Sequence, residues 1–140
     1  MVKFSNKMTH LTIILAFLMT VGTHANADLL LFSDDQTFHG CLDCGKYDSN
    51  SVCNKYGSYG SKYSSGSIWN KYTVGSKYNG DSPFSKYGTG LKVVDRQGGF
   101  YGYLSRAYGG NPEMRKFLNN IWDITNGDYD EMRDIFCDQF

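Results

Sequence analysis

Residues 45–90 read GKYDSNSVCNKYGSY (45–59), GSKYSSGSIWNKYTV (60–74) and GSKYNGDSPFSKYGTG (75–90), three copies of one unit of 15 to 16 residues. The unit shows through six Lys-Tyr dipeptides, at 46–47, 55–56, 62–63, 71–72, 77–78 and 86–87. Their tyrosines are separated alternately by nine residues and by six or seven. Self-similarity at a fixed period predicts a stacked module, and three units are about the minimum that buries its own core. Superposing the copies aligns Cys53, Trp69 and Phe84 in one column. Val52, Ile68 and Pro83 precede them, and Ser51, Ser67 and Ser82 come before those. An inward anchor at the Cys53/Trp69/Phe84 column is the simplest reading. Aliphatic residues are scarce here (Val52, Ile68 and Val74), so aromatic rings are expected to supply most of the buried area, with tyrosine hydroxyls left wet. The many glycines predict short turns rather than long strands.

Working outward, the N-terminus predicts a signal peptide over residues 1–27. Lys3 and Lys7 form a basic start, Leu11–Val21 an apolar run, and Ala25-Asn26-Ala27 a small-residue cleavage site. An apolar core of 11 residues is short for a membrane span of about 20. The mature chain, residues 28–140, is 113 residues long and fits one compact domain. Cleavage removes two of the 14 basic residues and none of the 14 acidic ones, leaving a charge of −2. The charge is uneven: residues 45–90 hold six Lys against two Asp, and the tail from Asn111 holds three basic against seven acidic residues.

Residues 28–44 form an N-terminal segment with a cysteine pair, in which Leu29–Phe32 reads as a short strand. The four cysteines, Cys41, Cys44, Cys53 and Cys137, predict two disulfides in an exported chain, with three possible connectivities. Residues 91–104 (LKVVDRQGGFYGYL) predict a β-hairpin, with Leu91, Val93, Phe100 and Leu104 on one face and Tyr101 and Tyr103 on the other. Residues 111–140 predict a helical tail. Asn111-Pro112-Glu113 caps a first helix, and Met114, Phe117, Leu118, Ile121 and Trp122 give its apolar face. Gly127 stops it, and Asp128-Tyr129-Asp130-Glu131 opens a second helix carrying Met132, Ile135 and Phe136. The fold class is therefore a small α+β domain: a short-repeat module, a hairpin and an αα-hairpin, linked by disulfides.

Cys41–Asn54, Tyr59–Tyr72 and Phe100–Tyr103 resemble strings found in exported or modular bacterial proteins. Those carry Tyr/Ser/Gly-rich KYGSKYSS and SIWNKY repeats followed by a hairpin ending FYGY. The likeness spans about half of the mature chain. The third unit departs from it, with Asn79-Gly80-Asp81 and Phe84 in place of a Ser run and Trp. It implies a bacterial exported repeat module, periplasmic or extracellular, and no particular activity.

Catalytic motifs are sparse. The mature chain holds one histidine, His39, which excludes multi-histidine metal centres. His39 two residues from Cys41 suggests a base beside a thiol, and Cys41-Leu42-Asp43-Cys44 has redox-pair spacing. Export favours a disulfide over either, and over a zinc site built from the cysteines. Asp128 and Glu131 stand at helix-capping spacing rather than as a hydrolytic pair. No cofactor or metal is expected, and the balance leans against an enzyme. The candidate binding residues are Lys55, Tyr56, Lys71, Tyr72, Lys86 and Tyr87: aromatic faces with adjacent cations hold sugar rings, and lysines contact anions. The competing reading makes the tyrosines core and the lysines solubilising. A cell-wall polymer, polysaccharide or envelope protein is the expected partner, nucleic acid is not, and oligomeric state stays open. An envelope enzyme, inhibitor or immunity-type protein acting through hairpin and tail is the alternative.

Overall fold

Strands β1 (Leu30–Phe32), β2 (Phe38–Cys41), β3 (Leu91–Val94) and β4 (Phe100–Leu104) form one antiparallel sheet in the order β2-β1-β3-β4. The computed structural model describes residues 28–139, so the signal-peptide reading of residues 1–27 lies outside the described residues. The hairpin predicted for residues 91–104 is thus half of a larger sheet. Leu31 pairs with Val93, joining the start of the domain to the chain that leaves the repeats, and both side chains are fully buried.

Both outer strands carry an extra residue at a positive-φ glycine. In β4 three residues separate Phe100 from Tyr103, while their partners Val94 and Lys92 are two apart; Gly102 has φ +91°. One inserted residue reverses which side chains face the core. Tyr101 is therefore buried and Phe100 exposed, the opposite of the faces read from the sequence. Gly40 (φ +111°) makes the same kind of bulge in β2. Neither edge lies open: Cys41 N–H donates to the Asn50 carbonyl beside β2, and Asn111 donates to the carbonyls of Tyr103 and Tyr101 beside β4.

Between β2 and β3 the chain runs as successive turns, closed every three residues by i→i+3 bonds such as Ser51→Asp48, Asn54→Ser51 and Asn70→Ser67. The first residue of most turns is Ser or Asn, whose side-chain oxygen accepts the N–H two residues on. Ser67 Oγ accepts from Trp69 N at 3.1 Å, and Asn70 Oδ1 from Tyr72 N at 3.0 Å. This local bonding competes with helix and sheet, and it fixes a corner every third residue. The corners Val52-Cys53, Ile68-Trp69 and Pro83-Phe84 point into the core; of these residues only Cys53 is partly accessible.

Helices α1 (Pro112–Thr125) and α2 (Tyr129–Cys137) cover these inward corners. Asn111 Oδ1 caps α1 by accepting from the Glu113 and Met114 amides, and Asp128 caps α2 through the Glu131 amide. Asn126 and Gly127, both at positive φ, reverse the chain between them. An aromatic cluster fills the interface: Trp69 packs against Phe84 and Phe136, and Phe84 against Trp122 and Tyr129. Disulfides join Cys41 to Cys44 and Cys53 to Cys137. Among the described residues no helix is long and apolar enough to cross a membrane.

Candidate functional site

The tyrosines of all six Lys-Tyr pairs are 83–96% exposed, so the competing reading that makes them core fails, and the aromatic burial in this segment comes from Trp69 and Phe84. The reason lies in the turns. Each pair occupies the two central positions of a turn, as in Asn54-Lys55-Tyr56-Gly57 and Asn70-Lys71-Tyr72-Thr73, and those positions form an outward corner. For Lys86-Tyr87 the closing bond runs from Gly88 N to Ser85 Oγ. Burial falls instead on the Ile68-Trp69 and Pro83-Phe84 corners.

In four pairs the lysine leans over the tyrosine that follows it. Lys46, Lys62, Lys71 and Lys77 Nζ stand 5.2–5.5 Å from the centroids of Tyr47, Tyr63, Tyr72 and Tyr78. That is within cation–π range, so each pair presents one amphipathic, positively charged unit.

A groove of about 730 Å³ runs between the second repeat copy and the α1–α2 turn. Lys62, Tyr63, Asn70, Lys71 and Tyr72 line one wall, and residues 125–131 the other. A smaller cleft of about 310 Å³ adjoins it, bounded by Lys55, Ser61, Arg133 and Asp134, and shares Lys62, Tyr63 and Asp130 with it. The Lys62–Asp130 ion pair (2.7 Å) therefore stands between the two. That hydrogen bond pushes the Lys62 ammonium up and holds the Asp130 carboxyl below its ordinary value. Lys55 pairs with Asp134 at 3.1 Å.

Of the nominated binding residues, Lys71 and Tyr72 line the groove and Lys55 the smaller cleft, while Tyr56, Lys86 and Tyr87 line neither. Lys62 and Tyr63, which belong to the same dipeptide series, line both. The acidic wall of Asp128, Asp130 and Glu131 comes from the tail, and its approach to the basic middle could be read only as charge complementarity.

The alternatives to binding have specific neighbours. Cys41 is in a disulfide and His39 Nδ1 lies 3.2 Å from the Gly66 carbonyl oxygen, so no thiol–imidazole pair exists here. Asp28, Cys41, Asp43 and Cys44 place donor atoms within 4.8 Å of one another, with both sulfurs bound to each other. Burial pushes the Asp43 carboxyl up, but Asp43 lines neither cleft. Asp128 accepts the α2 N-terminal amide, the capping role its spacing suggested. Comparison with known proteins returns no matching family, no matching curated protein and no matching solved structure.

Proposed function

We propose that this chain is an exported, non-enzymatic binding module whose repeat engages an extracellular or cell-wall polymer through its exposed Lys-Tyr corners. One observation carries the reading: six tyrosines, each preceded by lysine, stand 83–96% exposed, while of the other described aromatic residues only Phe100 and Tyr108 are exposed and Trp69, Phe84, Tyr101, Phe117 and Phe136 are buried. Exposing that much aromatic surface forgoes burial free energy of about 25 cal/mol per Å². Contiguous exposed apolar surface marks interaction sites, and two of these rings, Tyr63 and Tyr72, line one groove. The two disulfides suit an oxidising compartment.

Catalysis finds less support. A catalytic site calls for a cleft containing a carboxylate or thiol of shifted acidity. The carboxyl in the groove wall with a shift, Asp130, is lowered by its partner Lys62 rather than poised near neutrality.

The test is co-sedimentation of the mature protein with insoluble bacterial cell wall at two salt concentrations. Retention that Tyr72→Ala reduces supports the reading, and its dependence on salt separates a charged polymer from an uncharged one. Loss of retention on every polymer offered turns it toward a protein partner.

A further inference from the structure

We infer that the groove between the second repeat copy and the α1–α2 turn is a subsite for a neutral glycan chain, one that stacks sugar rings on Tyr63 and Tyr72. This rests on the binding reading above and names its ligand class. Three features of the groove point the same way.

The first is charge. The groove wall carries two ammonium groups, Lys62 and Lys71, against three carboxylates, Asp128, Asp130 and Glu131. Lys62 is already paired with Asp130. A polyanion entering there would bring its charges beside Asp128 and Glu131, at a cost that grows with each charge. A hydroxyl-rich, uncharged chain meets no such penalty.

The second is aromatic surface. Tyr63 and Tyr72 are 84% and 83% exposed and both line the groove. The electron-rich face of each ring attracts weakly positive groups, and the C–H face of a pyranose is one. Lys62 and Lys71 lean over one face of these two rings, 5.5 and 5.3 Å from the centroids, which leaves the opposite face of each ring for a sugar and places a hydrogen-bond donor within reach of it.

The third is the polar complement. Asn126, Asp128 and Glu131 on the opposite wall are exposed, and Asp128 and Glu131 offer carboxylate oxygens to sugar hydroxyls. Charge-assisted hydrogen bonds of this type are about twice as strong as neutral ones. The groove volume, about 730 Å³, lies within the range of ligand sites.

The experiment measures affinity of the mature protein for a β-1,4-linked N-acetylglucosamine hexamer, a β-1,4-linked glucose hexamer and heparin. Tyr63→Ala, Tyr72→Ala and, outside both the groove and the Lys-Tyr series, Tyr108→Ala are compared with the parent; all three rings are exposed, so unfolding midpoints should match. The expected result is binding of at least one neutral hexamer, weakened about tenfold or more by Tyr63→Ala and by Tyr72→Ala. Tyr108→Ala should leave it unchanged. Heparin binding without neutral-hexamer binding overturns the glycan assignment while leaving the polymer-binding reading intact. Equal loss in all three variants, or loss in Tyr108→Ala alone, moves the site out of the groove. Absence of binding to all three probes overturns the glycan assignment; continued retention on cell wall would then separate that failure from failure of the broader reading.

Discussion

The hydroxyl of Tyr129 donates a 2.5 Å hydrogen bond to the carbonyl of Gly75. Four residues further along α2, Arg133 Nη1 donates to the carbonyl of Gly60 at 3.1 Å. Gly60 and Gly75 begin the second and third copies of the repeat, so residues one helical turn apart bind matching positions of two copies. Cys137, one turn beyond Arg133, is bonded to Cys53 in the first copy. Helix α2 thus fastens the chain of turns along its length.

Those glycines predict a sharp sensitivity. A Cβ at Gly60 would lie 1.9 Å from the Asn54 carbonyl oxygen, and one at Gly75 would lie 2.1 Å from that of Ile68. Backbone must move in either case. Gly60→Ala and Gly75→Ala should each cost about 2–3 kcal/mol in denaturant unfolding. Gly45→Ala and Gly80→Ala, where a Cβ meets nothing within 4 Å, should change stability by much less.

The inward corners rest on buried serines. Ser67 and Ser82 are fully buried, and their hydroxyl oxygens accept the amides of Trp69 and Phe84. Ser67→Ala or Ser82→Ala strands a buried N–H and should cost about 1–3 kcal/mol. Exposed Ser65 provides the control, since alanine there should be nearly neutral in the same unfolding measurement.

The disulfides should contribute unequally. Cys53–Cys137 spans 84 residues and Cys41–Cys44 three. Loop-closure entropy gives about 4.5 kcal/mol for the long loop and about 2 kcal/mol for the short one. Paired Cys→Ser replacements followed by thermal unfolding without reductant should rank them in that order. Intact mass should lie four hydrogens below the all-thiol value, as two disulfides require.

Alkaline stability has a definite sign. Burial pushes the Tyr129 hydroxyl up to about 12, and the hydrogen bond to Asp95, with burial, pushes Tyr101 up to about 12, both from 10.0. A raised folded-state value means the unfolded chain loses these protons first. Their stabilisation is therefore fully present below pH 10 and lost as pH rises from 10 toward 12. Tyr129→Phe should lower stability at neutral pH by about 1 kcal/mol and make the alkaline fall shallower. An unchanged fall would locate the titration elsewhere.

Much of the helical tail was legible because its signals are local. Asn111, Pro112 and Asp128 act through their own neighbouring amides, and the apolar spacing of Phe117, Leu118 and Ile121 sets the buried face. The sheet was less legible. Pairing of Leu31 with Val93 joins residues 62 positions apart, and no short pattern announces it. The bulge at Gly102 inverted the reading of Phe100 and Tyr101, since one inserted residue defeats strict alternation. Whether the tyrosines lay inside or outside stayed open for a related reason. The 15-residue period was visible, but the finer three-residue spacing of Ser and Asn, which turns each Lys-Tyr pair outward, was hidden beneath it. The groove needed both the turns and the tail, so its Lys62–Asp130 contact, across 68 residues, lay beyond any local motif.

If the outward Lys-Tyr corners make the binding surface, as proposed, removing their rings must abolish binding. The measurement replaces Tyr47, Tyr56, Tyr63, Tyr72, Tyr78 and Tyr87 together with serine and compares cell-wall co-sedimentation with that of the parent protein. Because all six rings are exposed, the variant should keep its cooperative unfolding and its two disulfides while losing retention on the wall. A folded variant that still sediments with the wall as the parent does would contradict the claim.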